Sequence, residues 1–171
     1  ELPDGSMGLS FVSDVESNDN GRRSSLRFRR QIDFVRNASL NVAVGVTGAG
    51  DIIGTDPLID IDYRKFLPDG QIDLSMSQAV VPDTNNEEEI NTRIRAGYEK
   101  QVNSLSSIGA SIALFNRNEL DNDGDDDRRI DLNLTYNYDL TRDWGLVSGY
   151  RYTISEEDGA QDRTSNTVFV G

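Results

Sequence analysis

Between Arg128 and Ile154 the chain alternates strictly between apolar and polar side chains. In the first half the apolar positions are Ile130, Leu132, Leu134, Tyr136, Tyr138 and Leu140, each followed by one polar residue. A period of two predicts a β-strand with one apolar and one polar face, so that Leu132 and Asn133 point in opposite directions. Thr141 to Asp143 predicts a short turn, after which Leu146, Tyr150, Tyr152 and Ile154 resume the apolar face. The segment is therefore predicted to be a hairpin.

The same alternation recurs along the rest of the chain and predicts ten antiparallel strands joined in sequence order. Short turns and long loops alternate between them, and the long loops begin near Ser13, Gly48, Pro82, Arg117 and Ser155. Strands of about eleven residues with aromatic side chains toward their ends are typical of transmembrane β-barrels, in which one rim has long loops and the other short turns. We therefore predict an all-β fold, an antiparallel up-and-down transmembrane β-barrel of about ten strands.

Arg30 is an exception to this pattern. It falls on the apolar face of the second predicted strand, among Leu26, Phe28, Ile32 and Phe34. An arginine at the bilayer midplane costs about 2–4 kcal/mol. We therefore expect either a β-bulge at Arg30 or a position of Arg30 near the membrane interface.

The amino-acid composition argues against several classes of structure and function. The chain has 171 residues, 36% of them hydrophobic, and contains no run of about twenty apolar residues that would form a transmembrane helix. Cysteine and histidine are absent, which excludes disulfides, thiolate metal sites and histidine-based catalysis. The net charge of −13 argues against a nucleic-acid partner. We predict that the protein is not an enzyme and uses no cofactor.

Most of the 30 Asp and Glu residues lie in the long loops, which would form one acidic rim able to attract divalent cations. The run from Asp121 to Asp127 resembles an oxygen-rich calcium loop, which makes Asp121, Asp123 and Asp125 weak candidates for metal ligands. In an EF-hand register the bidentate glutamate is missing, because Ile130 stands at the twelfth position. A solvated acidic loop is therefore the simpler interpretation.

The candidate functional site is the set of charged residues on the polar faces of the strands. It comprises Arg27, Arg29, Asp60, Asp62, Asp73, Arg93, Arg95, Asp131 and Arg151. In a closed barrel all of them would point into one lumen. Since arginine forms paired hydrogen bonds with carboxylates, two interpretations stay open. The residues form either a charged pore lining that sorts solutes or a salt-bridged interior that fills a narrow barrel.

The chain resembles outer-membrane β-barrel proteins of Gram-negative bacteria, specifically porin-like barrels. The resemblance lies in IDLNLTYNYDLTRDWGLVSGYRYT, in RRSSLRFRRQIDFVRNASLNVAVGV and in the final SNTVFVG. It implies a location in the bacterial outer membrane, contact with outer-membrane lipid, and assembly by the barrel assembly machinery. Such proteins end on an aromatic residue, whereas Gly171 falls within a strand pattern. We therefore interpret residues 1–171 as a single barrel domain and leave open that it is a fragment lacking terminal strands.

A soluble cell-surface β-sandwich, acting as an adhesin-type binding module, is the alternative. Sandwich strands also alternate, but two sheets then pack their apolar faces together and Greek-key connections are common. The predicted strands here each join their sequence neighbour, which favours a meander. The two alternatives differ in what covers the apolar face, lipid in one and a second sheet in the other.

Overall fold

The computed structural model describes residues 7–15, 22–34, 37–49, 56–82, 88–119, 127–141, 143–157 and 161–171. Within these residues the chain forms strands and no helix. The strands are β1 (Met7–Val15), β2 (Arg22–Phe34), β3 (Ala38–Ala49), β4 (Asp56–Leu67), β5 (Gly70–Pro82), β6 (Glu88–Asn103), β7 (Ser106–Glu119), β8 (Asp127–Asp139), β9 (Gly145–Glu157) and β10 (Arg163–Val170). The all-β prediction is confirmed.

The strands form one antiparallel sheet in the order β1 to β10, so each strand pairs with its neighbours in sequence. This confirms the predicted meander. The sheet is open, because β1 and β10 are its two edges and no pairing joins them in the described residues. These are also the two shortest strands, with 9 and 8 residues against 12 to 16 in the others. The strands described here therefore do not by themselves form the closed barrel that the sequence predicts.

Local side-chain chemistry explains the short turns. Asn37, between β2 and β3, has a φ of 68°, a left-handed conformation that asparagine tolerates better than most residues. Pro68 and Asp69 form the turn between β4 and β5. After β6, the Asn103 Oδ1 accepts a hydrogen bond of 2.8 Å from the Leu105 amide. After β8, the Thr141 Oγ1 accepts one of 3.1 Å from the Trp144 amide. Each turn thus has a residue that favours reversal of the chain.

The register passes through Arg30 without interruption. Arg30 pairs with Met7 on β1 and with Val42 on β3, so the first alternative, a bulge at this residue, is wrong, and a position near the membrane interface stays a prediction. The register shift in the described residues lies instead between Gln101 and Asn103, next to the turn that ends β6. An extra residue disturbs the ladder least at a strand end, because few pairs follow it.

The strands are staggered in one direction across the sheet. One row of paired residues runs through Phe34, Ala38, Lys65, Ile72, Tyr98, Ala110, Leu134, Tyr150 and Val168. Strand β2 ends at this row, β4 continues two residues further to Leu67, and β8 continues five residues further to Asp139. A cumulative stagger of this kind accompanies strand tilt in sheets that curl.

Burial is inverted relative to a soluble sheet. The buried hydrophobic residues of the described chain, Ala43, Leu58 and Ala113, lie on the polar face, as do the buried Thr47, Glu89 and Asp131. On the other face, the apolar residues whose burial is described are exposed or half-buried, and none is buried. Its exposed members are Phe28, Phe34, Val44, Leu74, Ile94, Tyr98, Ile108, Ile112, Leu114, Leu134, Tyr136, Leu146, Val168 and Val170. The sheet therefore buries part of its polar face and leaves its apolar face uncovered.

Candidate functional site on the polar face

The strand register places all nine candidate residues on the polar face of the sheet. Eight of them occupy three adjacent rows of paired residues. The first row contains Arg29, Asp60 and Arg93, the second Asp62, Arg95 and Asp131, and the third Asp73 and Arg151. Arg27 lies two residues before Arg29 on β2. The candidates thus form a charged belt across the middle of the sheet.

The β2–β5 part of the belt contains arginine–aspartate pairs. The Arg64 Nε lies 2.7 Å from the Asp73 Oδ1, and the Gln71 side-chain amide also donates to Asp73. The Arg27 Nη1 lies 3.8 Å from the Asp60 Oδ2 and reaches it across β3, where Arg27 pairs with Gly45. All four charged side chains are partly exposed, so each pair contributes at most about 1 kcal/mol to stability.

The β6–β9 part of the belt is predominantly basic. Its buried carboxylate, Asp131, accepts bonds of 2.9 and 2.7 Å from the Nε and Nη2 of Arg129, which lies two residues earlier on β8. The other oxygen of Asp131 accepts a bond of 2.7 Å from the Thr153 hydroxyl. Arg151 donates from its Nε to the neutral side-chain oxygen of Asn133 at 2.7 Å. Both oxygens of Asp131 therefore accept hydrogen bonds from Arg129 and Thr153, whereas Arg151 donates to Asn133.

The Phe115 ring contacts two arginines of the basic part of the belt. The guanidinium carbons of Arg93 and Arg129 lie 4.7 and 4.9 Å from the centroid of its ring. All three residues belong to one row, because Phe115 on β7 pairs with Arg93 on one side and with Arg129 on the other. An arginine over an aromatic ring is held by cation–π attraction of about 0.5–1 kcal/mol at exposed sites.

Sequence reasoning missed Arg64, Phe115 and Arg129 as members of this site. Arg129 stands two residues before Asp131 and therefore on the same face, which the alternation could have revealed. Phe115 falls on the polar side of its strand, where an aromatic residue is unexpected. The contacts among these residues depend on which strands pair, and alternation within one strand does not specify that.

A second charged cluster lies near the long-loop end of β6, β7 and β8. The Arg117 guanidinium lies 2.5 Å from the Asp127 Oδ2 and 3.5 Å from the Glu89 Oε1. Glu89 is buried, with 5% of its surface exposed. The cluster joins three neighbouring strands, which suits a structural role at that end of the sheet.

The weak metal candidates Asp121, Asp123 and Asp125 lie outside the described residues. Within the described ranges, no group of three or more acidic side chains is arranged to hold a metal ion. In the same part of the chain, no helix has the length and apolar character needed to cross a bilayer. The charged belt therefore stays the candidate site.

Comparison of the chain with protein-family models, with curated proteins and with solved structures finds no match. Strand register, burial and charge are therefore the observations that bear on function.

Proposed function

We propose that this chain forms the wall of a bacterial outer-membrane β-barrel that acts as a passive, porin-like channel. Its apolar face contacts lipid, and its polar face lines a water-filled lumen. The observation that supports this most is the inverted burial of the sheet. In a soluble protein the apolar face of a sheet packs on a core, because burial of apolar surface drives folding.

The total accessible surface supports the same proposal. A compact soluble protein of 19.0 kDa exposes about 8,400 Å². This chain exposes 12014 Å². No second sheet covers the apolar face within the described residues. An uncovered apolar sheet face of this extent marks an interaction surface, and lipid is the partner that suits a period-two pattern along every strand.

The dimensions of the sheet also fit a bilayer. A membrane-spanning strand needs about 9–11 residues when tilted. Strands β2 to β9 have 12 to 16 residues, so they are long enough to span and to project into the interface. Tyr136, Tyr138 and Trp144 lie at or next to the turn between β8 and β9, where an aromatic girdle would meet one membrane interface.

Embedding in lipid requires that the two edges of the sheet be paired. Each unpaired backbone N–H or C=O group in hydrocarbon costs several kcal/mol. We therefore infer that β1 and β10 pair in the membrane, either with one another or with further strands. The barrel assembly machinery would be the partner for this step, and the acidic loops would face outside and attract divalent cations.

Two measurements test the proposal. After refolding in lipid vesicles, a membrane barrel migrates differently on SDS gels before and after boiling, and stepwise conductance in a planar bilayer identifies an open lumen. Heat-dependent mobility without conductance would favour a structural barrel, for which the pairs Arg64–Asp73 and Arg27–Asp60 are the supporting observation. A protein that stays monomeric in water without detergent would contradict the membrane proposal and favour the adhesin-type module.

A further inference from the structure

The basic part of the belt surrounds a cavity of about 510 Å³ on the polar face. This volume lies within the range of small-molecule sites, about 300–1,000 Å³. Its lining includes four arginines and one carboxylate: Arg93, Arg95, Arg129, Arg151 and Asp131. The hydroxyls of Ser111 and Ser165 also line it and are able to donate hydrogen bonds.

Three of these arginines have no carboxylate within ion-pair distance in the described residues: Arg93, Arg95 and Arg151. Asp131 is occupied by Arg129 and Thr153. Asp73, the next aspartate along this face, is occupied by Arg64 and Gln71. Asp73 and Asp131 still act electrostatically on Arg95 and Arg151, but the lining holds four arginines against one carboxylate, so the cavity keeps an excess of positive charge.

Several other arginines of the sheet, although not Arg29, have carboxylate partners among the described residues. Arg64 pairs with Asp73, Arg117 with Glu89 and Asp127, and Arg128 with Glu156. If the polar face were only a salt-bridged filling, the arginines around the cavity would be matched in the same way. Their side chains are instead exposed to solvent and accessible to a solute.

Two of the cavity's free guanidinium groups are held in position. Arg93 lies over the Phe115 ring, and the Nε of Arg151 is bound to Asn133, so that its terminal nitrogens stay available. Side chains that are already fixed lose less conformational entropy when a ligand binds. Arg95 and Arg151 stand on β6 and β9, three strand spacings and two residues apart, or roughly 16 Å at the backbone of a flat sheet. Guanidinium groups that reach into the cavity from separate strands offer more than one place for an anionic group, which suits a solute with two such groups better than a single small ion.

We propose that Arg93, Arg95 and Arg151 form a binding site for a small solute with at least two anionic groups, of the diphosphate type. The proposal rests on the proposed function in one respect, since it places this site in the wall of the lumen. Guanidinium groups suit phosphate because they form paired, charge-assisted hydrogen bonds with its oxygens. Asp131 and Arg129 also line the cavity, but they are bound to each other and do not bind the solute.

The test is calorimetric titration of the refolded protein with pyrophosphate at low ionic strength. We expect saturable binding with one site per chain. Because a charge-assisted hydrogen bond contributes more than a neutral one, Arg95→Gln and Arg151→Gln should each weaken binding about tenfold or more. Arg95→Lys keeps the charge but loses the paired geometry, and should weaken binding less than Arg95→Gln.

Arg29→Gln is the matched control, because Arg29 lies on the same polar face but on β2, outside the lining of the cavity. It removes the same charge and should leave pyrophosphate affinity within about twofold. Equal weakening by Arg29→Gln and Arg95→Gln, or no saturable binding to the folded wild type, would overturn the site. Heat-dependent mobility in SDS is measured on the same samples. Absence of saturable binding by wild-type protein that keeps this mobility therefore refutes the site and leaves the membrane proposal standing.

Discussion

Leu134 and Thr135 are neighbours near the middle of β8 and lie on opposite faces of the sheet. Leu134 is 45% exposed on the apolar face, between Ala110 and Tyr150 of the adjacent strands. If this face meets hydrocarbon, Leu134→Arg should destabilise the protein by about 2–4 kcal/mol, the cost of an arginine near the bilayer midplane. In a soluble protein the same surface substitution would change the free energy of unfolding by no more than about 0.5 kcal/mol.

Thr135→Arg is the matched control. Thr135 pairs with Gly109, and Gly109 pairs with Glu99 on the far side, so no side chain stands between position 135 and that carboxylate. An arginine at position 135 thus has room and an acidic partner in a wet lumen, and should cost less than about 1 kcal/mol.

Urea titration of the protein in lipid vesicles measures both variants. Trp144 is the single tryptophan, lies in the turn beyond β8, and reports folding by its fluorescence. We expect Leu134→Arg to lower the free energy of unfolding by at least about 2 kcal/mol, roughly 30-fold in the equilibrium constant. Equal free energies for Leu134→Arg and Thr135→Arg would refute the assignment of the faces.

Three further predictions follow from the polar face and the loops. Gly149→Ala should destabilise the folded protein by about 1–3 kcal/mol, because a Cβ at Gly149 would lie 2.4 Å from the Phe169 ring and 2.5 Å from the Leu134 carbonyl oxygen. Gly97→Ala is the control in the same urea titration, because the nearest atom to its added Cβ lies 3.9 Å away. Asp131→Asn should cost about 1–3 kcal/mol, because Arg129 and Thr153 then lose a buried, charged acceptor. Asp62→Asn, at an exposed residue, should stay within about 0.5 kcal/mol, and comparable losses in urea titrations would contradict the burial of Asp131. If the acidic loops ring the mouth of an open pore, we expect a weak cation preference that fades at high salt, because such charges act over a Debye length of about 8–10 Å. Replacing Asp121, Asp123, Asp125, Asp126 and Asp127 together by Asn should reduce this preference, and an unchanged reversal potential under a salt gradient would argue against the acidic rim.

The strands and their faces could be predicted from the sequence, because a period of two directly determines which side chains share a face. The turns were also predictable where a residue favours reversal, as Asn37 and Pro68 do. The open edges could not be predicted, since alternation within β1 and β10 says nothing about what pairs beyond them. The absence of a bulge at Arg30 could not be predicted either, because a charged residue on the apolar face interrupts the pattern of side chains without shifting the backbone pairing.

Nine charged residues of the candidate site could be predicted from the sequence, but their arrangement and the contributions of Arg64, Phe115 and Arg129 could not. All nine charged residues fall on the predicted face. Their partners depend on neighbouring strands: Arg27 reaches Asp60 across β3, and Phe115 meets Arg93 and Arg129 from two different strands. The division of the belt into a paired half and a basic half therefore appears only once the register of β2 to β9 is known.

Quenching of tryptophan fluorescence by brominated lipid tests the contact of the apolar face with lipid most directly. In a Trp144→Phe background, a single tryptophan replaces either Leu134 or Thr135, and lipids brominated near the ends of their acyl chains form the vesicles. We predict strong quenching of the tryptophan at position 134 and little quenching at position 135, because adjacent strand residues face opposite sides. Equal quenching at the two positions, or none at position 134 in the folded protein, would contradict the account.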